Sequence, residues 1–191
     1  MKQKEIEFKY DASDIKLTDF IEFCRSRDPQ KYIEASGYDY FYESPSDIDG
    51  FYRLRIGHDM FQLTYKRKTT SANNFIRDED NLDMQRSATA KEQIEAHIRR
   101  HGYLYNTSIF KNCFVFNYDL YTLVYYICYD MDMKELGRFV EIEMSEEHSW
   151  PSEKEAYNNL LLLEKLCKSI GLIPQARIKN SLFERYRRVP K

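Results

Sequence analysis

The chain has 191 residues, enough for one domain with a buried core, so neither a disulfide nor a structural metal is needed merely to hold it together. A formal net charge of −2 argues against a surface coated in positive charge for duplex nucleic acid or an anionic membrane. The 16 tyrosines and 12 phenylalanines favour pleated, half-buried strands.

Residues 3 to 10 alternate strictly, with Glu5, Glu7 and Lys9 on one face and Ile6, Phe8 and Tyr10 on the other. They read as a strand with one charged side. Ser13 or Asp14 is placed to cap a helix running to about Arg27, on which Leu17, Phe20, Ile21 and Cys24 recur at helical spacing. Tyr38 to Tyr42 reads as a strand. After the turn signals at Ser44-Pro45 and Asp49-Gly50, Phe51 to Ile56 and Met60 to Lys68 form a hairpin about Gly57-His58-Asp59.

Asn73 to Met84 is a further strand, and Thr89 to His101 a helix stopped by Gly102. Ser108 to Tyr118 and Tyr121 to Asp130 form a second hairpin, and Arg138 to Met144 the next strand. Ser152-x-x-Glu155 is a capping box opening a long helix, with Leu160, Leu163, Leu166 and Ile170 facing inward and Gly171 at its end. Neither a repeat nor a long linker divides residues 1 to 191, so a single domain is expected.

The charged strand faces are the unusual feature. One Glu-x-Glu-x-Lys by itself is a weak signal, expected by chance in roughly a few per cent of chains this size. Here the habit repeats: Arg53-x-Arg55, Lys66-x-Lys68, Arg77-x-Glu79 and Glu141-x-Glu143 each place two charges on one face of a strand. An antiparallel sheet of about eight strands closing into a barrel would gather these faces on one axis, with helices packed outside, an α+β architecture. Buried like charges cost several kcal/mol per ion unless paired or occupied. Clustered carboxylates at i and i+2 offer hard oxygens suited to Mg²⁺ or Mn²⁺, while Lys and Arg grip phosphates. The pattern describes a site for a metal-bound triphosphate.

On these residues the chain resembles the CYTH superfamily, the triphosphate tunnel metalloenzymes. The matching segments are Glu5-Ile6-Glu7-Phe8-Lys9, Arg53-Leu54-Arg55, Leu63-Thr64-Tyr65-Lys66, Arg77-Asp78-Glu79, Asp130, and Leu136-Gly137-Arg138-Phe139-Val140-Glu141-Ile142-Glu143, in the family's order. The resemblance implies that Glu5, Glu7, Glu141 and Glu143 contact metal, with Glu79 and Asp130 assisting. It also implies that Lys9, Arg53, Arg55, Lys66, Arg77 and Lys111 grip phosphates; strand parity adds Lys68. Two positions depart from the family: Cys113 stands where Lys-x-Arg is common, and Leu182 replaces a tyrosine in the segment from Arg177 to Glu184.

The expected activity is metal-dependent hydrolysis of a small triphosphate such as tripolyphosphate, a nucleoside triphosphate (ATP) or thiamine triphosphate. The alternatives are cyclisation of ATP to cyclic AMP with release of pyrophosphate, and binding of a nucleotide or polyphosphate without turnover. A cytoplasmic monomer or homodimer is expected, because the chain starts with charged residues and lacks a run of the ~20 apolar residues a membrane helix needs. Nucleic acid is not the expected partner, since Arg99-Arg100 and Arg185 to Arg188 are short clusters. Cys24, Cys113, Cys128 and Cys167 read as buried thiols, and His97 and His101 as surface residues one helical turn apart.

Overall fold

The structure, a computed structural model, describes residues 2–67, 76–145 and 152–188, without the side chains of residues 2–4, 48, 49, 76 and 77. Strand β1 spans Lys2–Asp11, β2 Lys31–Ser44, β3 Asp47–Gly57, β4 Phe61–Arg67 and β5 Ile76–Asp83. Strand β6 spans Leu104–Asn117, β7 Tyr121–Tyr129, β8 Glu135–Met144 and β9 Arg177–Ile178. The helices are α1 Leu17–Arg25, α2 Ala90–Arg100, α3 Glu153–Cys167 and α4 Leu182–Tyr186.

The strands form one nine-stranded antiparallel sheet in the order β5-β4-β3-β2-β6-β7-β8-β1-β9, curled as a half-barrel. The expected antiparallel sheet with helices packed outside is found, β1 also pairs with β5, and the short β9 adds a strand that sequence periodicity cannot reveal in two residues. Strand β1 is the seam: Lys2 to Ile6 pair with β5, Glu7 to Asp11 with β8, and Lys9 and Tyr10 also with β9.

The outer face of the curl carries the main core. Phe8, Tyr10, Phe20, Phe116, Leu123, Tyr125, Val140 and Ile142 pack with Ala156 and Leu160, so α1 and α3 cover one side of the sheet. Helix α2 covers another part, its Ile98 packing with Tyr42, Leu54 and Phe61. Each fully buried large side chain contributes about 1.5–3 kcal/mol.

Several boundaries differ from the sequence reading. Strand β2 begins at Lys31, because residues 31 to 37 pair along β6 although they do not alternate in polarity. Ser13 and Asp14 do not cap α1; Ser13 instead donates its amide and hydroxyl to the Asp11 carboxylate, at 3.0 and 2.5 Å, which closes the turn after β1. On α3 the Ser152 hydroxyl accepts from the Glu155 amide as expected, at 3.2 Å. The buried stripe is Ala156, Leu160, Glu164 and Cys167, which leaves Leu166 44% exposed. Glu164 tolerates burial because the Tyr10 hydroxyl donates to it at 2.9 Å and Arg177 pairs with it. No described helix is long and apolar enough to cross a membrane.

Candidate functional site: the inner face of the curl

Directly opposed residues of antiparallel strands share a face, so register decides which side chains meet. Glu7 lies opposite Glu143 and Lys9 opposite Glu141. Lys66 lies opposite Glu79, Arg53 opposite Thr64, Asp39 opposite Arg55, and Lys111 opposite Gly37 and Cys128. All these positions share the inner face, away from α1, α2 and α3. The parity of Glu5-x-Glu7-x-Lys9, Arg53-x-Arg55 and Glu141-x-Glu143 is kept in the described strands.

Two lysines organise the acidic wall. Lys9 Nζ lies 3.3 Å from Glu7 and 3.0 Å from Glu141. Lys66 Nζ lies 3.2 Å from Glu5 and pairs also with Glu79. Glu7, Lys9, Lys66 and Glu79 are all buried. Burial would raise the Glu141 carboxyl, but Lys9 and Lys111, with the Tyr126 hydroxyl donating at 2.8 Å, outweigh it and hold the group at about 2. Glu79 goes the other way: burial, reinforced by Glu5, raises its carboxyl despite Lys66. Two carboxyls on one face are thus pushed apart, a separation that suits one to stay ionised and another to exchange a proton.

The basic wall faces them from the middle strands. Arg55 donates to both oxygens of Asp39, at 2.7 and 2.9 Å, and Lys111 lies 3.9 Å from Asp39. Lys111 Nζ also sits 4.0 Å from the centre of the Tyr126 ring. Arg53 donates to the Thr64 hydroxyl at 3.1 Å, while its buried Nε has no hydrogen-bond partner among the described residues. Burial opposes ionisation of Asp39, yet Arg55, Lys111 and Arg53 hold its carboxyl well below the usual range.

Asp39 is the functional neighbour that the sequence reading missed. It is a single acid in the aromatic run Tyr38-Asp39-Tyr40, and only cross-strand register reveals that it orients Arg55. Thr64 and Tyr126 were likewise unremarkable as isolated residues.

The expected members do not all assemble. Glu5, Glu7, Glu79, Glu141 and Glu143 share the inner face with Lys9, Arg53, Arg55, Lys66 and Lys111. Arg77 takes the register position opposite Glu5, but its side chain lies outside the described residues, as does Lys68 altogether. Asp130 is set apart. It follows β7 by six residues from Val124, the partner of Glu141, roughly 20 Å along a strand. Its Oδ1 accepts from the Asp132 and Lys134 amides at 3.0 and 2.9 Å, so the carboxylate holds the β7–β8 turn.

One end of the inner face is apolar. Phe41, Phe51, Ile109, Tyr126, Cys128 and Phe139 cluster there with Leu182 and Phe183 of α4. Phe183 stacks on Phe41 at 5.5 Å and packs on Phe51 at 4.6 Å. Because neighbouring strands run oppositely, Phe139 before Glu141, Phe41 after Asp39, Phe51 before Arg53 and Ile109 before Lys111 all fall at the same end. Helix α4 reaches that end through a capping box, Ser181 and Glu184 each bonding the other's backbone amide. Leu182, the departure from the family's tyrosine, is buried in this cluster.

Divalent metal fits the donor set in kind: the acidic wall offers only hard carboxylate oxygens. Among the described residues, no three His, Cys, Asp or Glu side chains already converge as a metal cage.

Comparison with solved structures places the architecture. A conserved hypothetical protein of Pyrococcus furiosus superposes with a TM-score of 0.72 at 22% identity, over 94% of this chain and 98% of that one. The two chains share one fold along nearly their whole length. A proposed adenylate cyclase from Vibrio parahaemolyticus matches at TM-score 0.68 and 15% identity, over 95% of this chain and 97% of its own. The RNA triphosphatase domain of a mimivirus mRNA capping enzyme matches at 0.52 and 11% identity, over 84% and 89%. No protein-family model and no curated protein matches the sequence.

Proposed function

We propose that the inner face binds a triphosphate with Mg²⁺ or Mn²⁺ and hydrolyses it. The observation that carries this reading is the pairing of Lys9 and Lys66, each between one buried and one half-buried carboxylate, opposite a wall of Arg53, Arg55 and Lys111. With a polyanion on this face, Lys9 and Lys66 would turn from carboxylate to phosphate oxygens, and Glu5, Glu7, Glu141 and Glu143 would hold the cation. Such an exchange keeps every buried charge compensated. When bound, the metal supplies charge neutralisation on the phosphate chain.

The residues of the chain provide the rest. Arg55, oriented by Asp39, and Arg53, with an unused Nε, donate to the phosphate chain and stabilise charge in the in-line displacement. Glu79, whose carboxyl burial raises, is placed to take the proton of the attacking water. Closure of the curl into a tunnel of about eight strands belongs to this reading and is supported by β1 pairing with both β5 and β8.

Cyclisation of ATP is the second reading, supported by the likeness to the Vibrio parahaemolyticus protein. Hydrolysis is placed first because α4 fills the apolar end with Leu182 and Phe183, where a nucleoside would otherwise find an aromatic surface. The purified chain is to be incubated with tripolyphosphate, thiamine triphosphate and ATP, with Mg²⁺ or Mn²⁺, and its products separated. Release of orthophosphate is expected. Cyclic AMP and pyrophosphate from ATP would establish the second reading, and unchanged substrates throughout would remove both.

A further inference from the structure

A second pocket lies on the outer face, where Tyr40 and Tyr42 of β2 and Tyr105 of β6 meet one side of α2. It encloses about 270 Å³ and is completed by Lys91, Glu95, Arg99 and Tyr103. Tyr40 and Tyr42 flank Phe41, which faces the inner cluster, so the sheet separates this pocket from the charged walls described above.

The walls are held in place before any ligand arrives. The Tyr42 hydroxyl donates to Glu95 at 2.7 Å, and Tyr103 donates to Asp47. The Tyr105 hydroxyl lies 2.9 Å from that of Ser108, and Lys91 Nζ sits 3.8 Å from the centre of the Tyr40 ring. Fixed aromatic faces bind planar groups with little ordering cost. Lys91, Glu95 and Arg99 follow at i, i+4 and i+8, on one side of α2.

Charge selects the ligand. Four tyrosines could cage a quaternary ammonium, but Lys91 already lies over Tyr40 and Arg99 adds a second cation. Glu95 offsets one of these, 3.9 Å from Lys91, and already accepts from Tyr42. Arg99 is exposed and forms no ion pair among the described residues. The pocket therefore offers aromatic faces beside an uncompensated guanidinium, a combination that suits a planar ring joined to an anion. Its volume is near the lower bound of ligand pockets, roughly 300 Å³, which admits one mononucleotide rather than a dinucleotide.

We propose that this outer pocket binds a nucleoside monophosphate unit, the base on the Tyr105 ring beside the Lys91-covered Tyr40 and the phosphate on Arg99. The unit could be a free nucleotide or the 5′ end of single-stranded RNA. The site is independent of triphosphate chemistry on the inner face, and neither stands or falls with the other.

The test is a titration of adenosine monophosphate into the full chain carrying ring-labelled tyrosine, followed by NMR in EDTA, with Tyr40 and Tyr105 signals assigned through Tyr40→Phe and Tyr105→Phe. Saturable shifts of both signals are expected, and Arg99→Ala weakens binding about tenfold or more while Arg99→Lys restores part of it. Adenosine alone and inorganic phosphate alone bind at least about tenfold more weakly, because each offers half of the contacts. A 5′-phosphorylated trinucleotide that binds more tightly than the monophosphate identifies RNA as the source; one that binds equally or less tightly identifies the free nucleotide. Absence of the shifts, or equal affinity in Arg99→Ala, overturns the proposal.

Discussion

The two ends of the inner face use the same strands in opposite ways. At one end, Lys9, Lys66 and Asp39 are buried in ion pairs; at the other, Phe41, Phe51 and Phe139 are buried against Phe183. The apolar end stabilises the fold by excluding water, whereas buried ion pairs are weak stabilisers whose desolvation cost is barely repaid. A fold seeking only stability would extend the apolar end along the whole face. The retained charges therefore point to a ligand that needs them.

Single substitutions can break that contrast. Asp39→Ala leaves Arg55 without its bidentate partner, so urea denaturation is expected to show a loss of about 3–5 kcal/mol. Turnover per folded molecule falls with it, because Arg55 loses its orientation. Phe183→Ala should cost a similar amount, about 3–5 kcal/mol by the same measurement. Its turnover per folded molecule is expected to stay within about twofold, since no charge is touched. Equal catalytic losses in the two variants would erase the distinction between the ends.

Lys66→Met keeps most of the unbranched stem but removes the cation between Glu5 and Glu79. Its kcat on the preferred triphosphate should fall about 10²–10³-fold, the usual effect of removing one preorganised electrostatic group.

Acid titration separates the carboxyls by sign. Glu141 is depressed in the fold, so its contribution is present above its ordinary value of 4.5 and is lost as pH falls toward about 2. Asp39, also depressed, adds to this loss. Glu79 is raised, so its contribution is present below its ordinary 4.5 and disappears as pH rises through its folded value. Melting temperatures of the wild type should therefore decline below about pH 4.5, whereas the gain that Glu79 adds as pH falls toward 4.5 from above should be missing in Glu79→Gln.

The smallest effect is expected at Asp130. Because its carboxylate holds the β7–β8 turn, Asp130→Asn should leave turnover and its Mn²⁺ dependence within about twofold, as measured by phosphate release.

The charged end was largely legible in the sequence and the apolar end was not. Alternation in Glu5-x-Glu7-x-Lys9 and Glu141-x-Glu143 survives in the structure because strand parity is a local property. The pairing of Asp39 with Arg55 depends on register between β2 and β3, which a single acid among aromatics does not encode visibly. Helix α4 is five residues long, too short for periodicity, although its Ser181 and Glu184 capping pair was present in the text of the chain. Residues 31 to 37 of β2 are not legible as a strand, because Glu34-Ala35-Ser36-Gly37 shows no alternation; partnership with β6 overrides local preference there. On α3, Leu166 looked inward by apolar character alone, whereas helical phase and the partners of Glu164 assign that stripe differently.

The most direct measurement is calorimetric titration of tripolyphosphate into the full chain, with and without Mn²⁺, in the wild type and in a Glu7→Gln/Glu141→Gln variant. Our account predicts one saturable site per chain that requires Mn²⁺ in the wild type and loses that metal requirement or its affinity in the variant. Binding that is absent, or identical in both proteins with and without the metal, would contradict it.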